Sequence, residues 1–331
     1  MILVVLTHVA NFDFGVNVIQ DGNFHFYLKQ FRMPLFFFVS GFLFYKNNFV
    51  WNLTNIKTFL SKKTVVQIIT PLIFLVCYAR YKDYGIPECI THPSKLGYWF
   101  TFALFNYFLM YIALKVILDL KKIKEKYIFI LFLLIGGFLY IFSTHRLLMK
   151  VGIPELVLNV CSIAYISYFI FFIFGICVKK YFKQFEAILE NPFIVTTVLG
   201  IYFVGNLFFD TNYNYFILRI LNLVFSICGI FMTFAFFKKY ESFFADDNKV
   251  ANTLKFIGKR TLDIYLIHYF FLSFNLPQIF PFFAEHNLPL IEFVVSFLMT
   301  IVVISASLFI SSILRINNSV AHFLFGEKKH K

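Results

Sequence analysis

Four ionisable residues stand inside or at the rim of strongly apolar runs: His8, Arg32, Arg219 and His268. A titratable side chain held in lipid costs a few kcal/mol at least, so each is a candidate for chemistry. His8 follows Ile2-Leu3-Val4-Val5-Leu6-Thr7, and a neutral imidazole there could serve as a general base on a hydroxyl. The competing reading is a histidine hydrogen-bonded to a neighbouring helix. Arg32 could clamp an anionic group through its fork of donors, or anchor the chain at the interface by snorkelling. Arg219 follows the polar turn Asp210–Asn214, where pairing with Asp210 or snorkelling competes with a functional role. His268, in Tyr265-Leu266-Ile267-His268-Tyr269, sits about 9 Å into its helix counted from Leu262. Ser40 and Gly41 add a polar break within Phe36-Phe37-Phe38-Val39-Ser40-Gly41-Phe42.

The elements that must position these residues are membrane spans. About 20 apolar residues in a helix cross ~30 Å of hydrocarbon, because lipid offers no partner to an open backbone. Nine segments qualify, roughly 31–46, 65–80, 98–118, 127–143, 156–178, 193–209, 215–237, 262–280 and 290–314. A tenth, Met1 to Phe12, has the right character but is too short to cross. The expected fold is therefore all-α, a polytopic membrane helix bundle of about ten spans with the first incomplete, forming one integral-membrane domain over residues 1–331. Alternating the loops puts 22 of the 30 Lys and Arg residues on one side and 7 on the other, with Arg219 inside a span. The positive-inside rule then makes the lysine-rich side and the C-terminus cytoplasmic and places His8 toward the outer face.

Composition excludes the other classes. Sixty per cent of the 331 residues are hydrophobic and 14% charged, with 51 Phe and 19 Tyr, which is too apolar for a soluble surface. The net charge of +13 lies in short clusters between apolar runs, such as Lys121-Lys122-Ile123-Lys124-Glu125-Lys126, and reads as topology and anionic-lipid contact rather than nucleic-acid binding. Five scattered cysteines imply no disulfide framework. Cys89-x-x-His92 lacks a second pair at ligand spacing, so no metal is expected.

Phe31-Arg32-Met33-Pro34-Leu35-Phe36-Phe37-Phe38-Val39-Ser40-Gly41-Phe42-Leu43, preceded by His8 in an outward first span, resembles the opening of the integral-membrane acyltransferase family three, which includes sugar O-acetyltransferases of bacterial envelopes. Tyr98-Trp99-Phe100 with Ala103-Leu104-Phe105, Pro71 after Lys62-Lys63, and Phe171-Phe172-Ile173-Phe174-Gly175 are similar to later family segments. So is Ile257-Gly258-Lys259-Arg260-Thr261-Leu262-Asp263-Ile264-Tyr265-Leu266-Ile267-His268. The order of these motifs spans nearly the whole chain. One departure is that the family pattern places an arginine eleven residues before the histidine, which here falls three residues before Met1. The chain is accordingly expected to start inside the family's first span and to lack that arginine.

The resemblance implies transfer of an acyl group, usually acetyl from cytoplasmic acetyl-CoA, to a hydroxyl of a cell-surface polysaccharide or a lipid-linked sugar, in a bacterial plasma membrane. His8 and Arg32 would be catalytic, as base or acyl carrier and as oxyanion stabiliser. Lys62, Lys63, Lys259 and Arg260 would hold the polyanionic coenzyme, while Ser40, Trp99, Arg219, Tyr265 and His268 would be substrate-facing or structural polar groups. A transporter or exporter of an envelope precursor is the alternative, followed by a non-catalytic assembly partner. No Gly-x-Ser-x-Gly elbow, zinc signature or phosphate loop places chemistry elsewhere.

Overall fold

The structure, a computed structural model, describes residues 1–14, 24–272, 282, 286 and 288–326, and every regular element among them is helical. Six helices are long and apolar enough to cross a bilayer: Leu53–Tyr81, Trp99–Leu120, Glu125–Phe142, Ile163–Lys180, Tyr215–Lys239 and Pro289–Leu314. Phe182–Leu189 with Pro192–Leu207 would make a seventh, bent by 78°. The chain is thus a multi-pass membrane protein, but the expected count of about ten spans is not reached among the described residues.

The shortfall has local causes. Segment 31–46 belongs to a 21-residue helix, Phe24–Phe44, whose first half carries His25, Lys29, Gln30 and Arg32 and so loses apolarity. Segment 193–209 is the helix Pro192–Leu207, which ends two residues early and gives 16 residues, about 24 Å of helix. Segment 262–280 is a seven-residue helix, Thr261–Ile267, tightening into a 3₁₀ turn at His268–Phe271, and its residues 273–280 lie outside the described residues. Within Met1 to Phe12, Ile2–Phe12 forms a short apolar helix.

The described chain divides into two compact units, residues 1–36 with 183–317 and residues 37–182 with 318–331. In the first, the buried face of Pro289–Leu314 reads Glu292, Ser296, Thr300, Val303, Ser307 and Ser311, a three-to-four residue spacing that keeps them in one stripe. Small hydroxyl residues let neighbouring helices approach closely, and Thr300 and Ser307 satisfy their own hydroxyls on the carbonyls of Ser296 and Val303. The helix Ile2–His8 and the segment Thr261–Phe271 both pack on this helix.

In the second unit, Gly41 and Gly175 set the crossing between the end of Phe24–Phe44 and Phe169–Lys180. A Cβ on Gly41 would lie 1.9 Å from the Phe172 carbonyl oxygen, and one on Gly175 would lie 2.0 Å from that of Phe38. Gly136 brings Glu125–Phe142 against Ile170, whose Cα would lie 2.9 Å from an added Cβ. The abundant aromatics fill the remaining space: Phe37 has the rings of Phe100, Tyr107 and Tyr168 at 4.6, 5.0 and 5.3 Å.

Candidate active site

His8 is the last residue of its α-helix, and Val9–Asp13 continues it as a wider π turn. His268 is likewise the residue at which Thr261–Ile267 narrows to 3₁₀. Both histidines therefore stand where helical pitch changes, which turns a side chain off the regular ridge and frequently marks a functional position. Their ring centroids are 5.5 Å apart, and Tyr269 lies 5.4 Å from His8 and 4.0 Å from His268.

The hydrogen bonds around the two rings are asymmetric. His268 Nδ1 donates to the Ile264 carbonyl at 2.8 Å, which leaves its Nε2, buried and without a hydrogen-bond partner among the described residues, as the lone-pair nitrogen of the neutral ring. His8 Nε2 is 3.4 Å from the Tyr269 hydroxyl, while its Nδ1 is buried with no hydrogen-bond partner among the described residues. In the tautomer whose Nε2–H donates to Tyr269, Nδ1 carries an available lone pair, which is the requirement for a base. The Arg32 guanidinium lies within electrostatic reach of the His8 ring, as does His268.

Arg32 is held by an irregular helix. Pro34, two residues on, has no N–H, so the Gln30 carbonyl loses its intrahelical donor, and Ser226 of the Tyr215–Lys239 helix supplies one instead at 2.8 Å. Tyr202 donates to the Tyr27 carbonyl at 2.6 Å, and Gln30 donates to Asn206 at 2.5 Å. The Phe31 ring fits against Gly229, where a Cβ would come within 2.3 Å. These contacts fix both the bend and the rotation of the segment that carries Arg32.

Two further polar groups flank this region and were not singled out from the sequence. His25 Nε2 lies 2.9 Å from Glu292 Oε1, which also accepts from Ser296 at 3.0 Å, with His25 fully buried and Glu292 nearly so. His25 is seven residues before Arg32, hence on the same helical face. Asp263 is 1% exposed and accepts Nε and Nη2 of Arg315 at 2.8 Å each and Ser311 Oγ at 2.5 Å. Arg260 Nη1 reaches Asp263 at 3.4 Å and Ser311 at 3.1 Å. This network ties the helix bearing His268 to Pro289–Leu314. Glu292 lies within 290–314 and Asp263 within 262–280, so the rule that flagged the histidines applied to both carboxylates.

The first unit thus brings together His8, Arg32, His268 and Tyr265, whose ring is 6.4 Å from that of His268. Arg219 donates to the hydroxyl of Tyr215 on its own helix at 2.7 Å, with the guanidinium over that ring. Lys259 is exposed at the end of Lys249–Lys259. In the second unit, Trp99 stacks on Tyr165 at 3.8 Å, Ser40 lies half-buried beside the Gly41 crossing, Lys62 is exposed, and Lys63 sits over the Phe59 and Phe108 rings. Just before Trp99, the buried Lys95 ammonium donates to the Asn159 carbonyl and faces the Phe102 ring at 5.5 Å, and burial pulls its pKa down to about 8. Among the described residues no group of three or more His, Cys, Asp or Glu side chains could hold a metal.

A paired imidazole cluster with an open nitrogen and an adjacent guanidinium is an arrangement for moving a proton and stabilising a developing anion. The model of an acyltransferase domain, acyltransferase family 3, matches residues 1–309. The chain belongs to that family. No curated protein and no solved structure matches it. The family match covers every residue of the histidine cluster, so the acyltransferase carries His8, Arg32, His25, His268 and Glu292 all within its matched domain.

Proposed function

We propose that this acyltransferase moves an acetyl group from acetyl-CoA, taken from the cytoplasmic side of a bacterial plasma membrane, to a hydroxyl of a cell-surface polysaccharide or lipid-linked glycan precursor. The observation that carries the reading is the His8 ring, with Nδ1 buried and open while Nε2 faces Tyr269. His8 accepts the proton of the acceptor hydroxyl as its oxygen attacks the thioester carbonyl carbon. The resulting oxyanion is stabilised by Arg32, the carbon–sulfur bond breaks, and the leaving coenzyme thiolate takes up the proton that His8 accepted. Placement against the buried rings of His268 and Tyr269 limits the access of bulk water to the thioester.

Steady-state kinetics on Arg32→Gln test the division of roles. Loss of an oxyanion contact lowers kcat by about 100- to 1,000-fold with a much smaller change in KM. A variant with unchanged kcat and a raised KM would make Arg32 a binding residue and remove it from this mechanism.

A further inference from the structure

The second unit contains an open cleft that the histidine chemistry does not use. Its volume is about 650 Å³, within the range of small-molecule sites. The loop between Phe24–Phe44 and Leu53–Thr64 forms one wall and is itself fixed: it turns at Asn48 (φ 58°), Asn55 Nδ2 donates to the Val50 carbonyl at 2.9 Å, and the Asn52 side chain caps the next helix. Trp51 faces the cleft from this loop, half-buried, with Phe44 stacked against it at 5.8 Å and Phe49 edge-on at 4.7 Å.

The charges of the cleft do not cancel. Its two carboxylates are already engaged, Asp119 with Lys115 at 2.5 Å and Glu125 with Lys180 at 2.6 Å. Lys46 lines the cleft, Lys63 stands outside its lining but within electrostatic range of Lys46, and among the described residues neither has a carboxylate within 4 Å. Each lies instead over an aromatic ring, Lys46 over Phe49 at 5.8 Å and Lys63 over Phe59 at 5.7 Å and Phe108 at 5.1 Å. Two neighbouring ammonium groups with no counter-charge favour an anion that can accept from both, and a phosphate does so through charge-assisted hydrogen bonds. An indole beside them offers a stacking face to a planar base.

We infer that this cleft is a nucleotide site, in which a purine base stacks on Trp51 while phosphate groups bridge Lys46 and Lys63. The inference rests on the reading that a coenzyme A thioester is the donor, whose adenosine 3′,5′-bisphosphate end has these two features. It places Lys63 with Lys46, not with Lys259 or Arg260, as the phosphate contact.

The chain has only two tryptophans, so Trp99→Phe leaves Trp51 as the sole indole reporter. Purified Trp99→Phe protein is titrated with coenzyme A and with adenosine 3′,5′-bisphosphate, following Trp51 fluorescence, while equilibrium dialysis with labelled coenzyme A measures binding independently. The expected result is saturable quenching by both, weakened at least tenfold by Lys46→Gln/Lys63→Gln and kept by Lys46→Arg/Lys63→Arg, with inorganic phosphate competing only weakly. Dialysis that shows coenzyme A binding without quenching, and unaffected by the glutamine pair, overturns the site and leaves the donor reading standing. No coenzyme A binding by either method overturns both. Quenching that follows phosphatidylglycerol content in nanodiscs and ignores the nucleotide would make the cleft a lipid-headgroup site and also overturn the inference.

Discussion

Replacing Asp263 by Asn should be among the most costly single changes in the first unit. The carboxylate is 1% exposed and carries the bidentate Arg315 contact, the Ser311 hydroxyl and the longer Arg260 contact. Asn keeps the shape but removes the charge and turns an NH₂ toward arginine donors, so the guanidinium of Arg315, itself 10% exposed, loses its carboxylate. Removing one partner of a buried ion pair costs about 3–5 kcal/mol, because the remaining charge keeps its desolvation cost. At roughly 2–4 °C per kcal/mol, the midpoint should fall by about 6–20 °C. Thermal unfolding in detergent reports this directly, since Cys89, Cys177 and Cys228 are buried and become reactive to a thiol dye when helices separate. Asp263→Leu/Arg315→Leu, which removes both charges, should recover much of the loss. An Asp263→Asn midpoint within about 1 °C of the parent would refute the claim that this network anchors the helix of His268.

Other outcomes follow from the same physics. Lys95 lies outside the spans and is held below its free pKa of 10.5, at about 8, by burial. The folded chain then binds fewer protons than the unfolded one between about pH 8 and 10.5, so stability rises with pH across that window and is flat below it. Midpoints measured at pH 7 and 10.5 should show the parent gaining on Lys95→Met by on the order of 2–3 kcal/mol, and parallel curves would contradict this. Gly41→Ala and Gly175→Ala each place a Cβ within 2.0 Å of a backbone oxygen that cannot move aside, so each should lower the midpoint or abolish a monodisperse peak on gel filtration. Gly200→Ala, with nothing within 4 Å of its Cβ, should instead be neutral or stabilising by up to about 1 kcal/mol.

The sequence made the helical membrane architecture legible because twenty-residue apolar runs have few alternatives, and it pointed to the residues that the first unit gathers around His8. It overstated the number of full spans where polar residues interrupt a helix, as at His25–Arg32, or where a helix ends early, as at Leu207. The costly carboxylates Glu292 and Asp263 were visible in apolar runs, but their partners, His25 and Arg315, are 267 and 52 residues away, a pairing that only tertiary structure reveals. Gly41 read as a polar break beside Ser40, whereas its missing side chain is what admits the Phe172 backbone. The changes of pitch at His8 and His268 leave no mark in periodicity, since both occur within uniformly apolar sequence.

The most direct test of the account follows labelled acetyl from acetyl-CoA into envelope glycans by mass spectrometry. Membranes would carry the chain as given or a form with an added upstream segment that places an arginine eleven residues before His8, each with and without His8→Ala. The account predicts acetylated glycan in at least one His8 form and a fall of about 100- to 10,000-fold in its His8→Ala counterpart. Transfer that persists without His8, or no transfer from either folded form with acceptor glycan present, would contradict it.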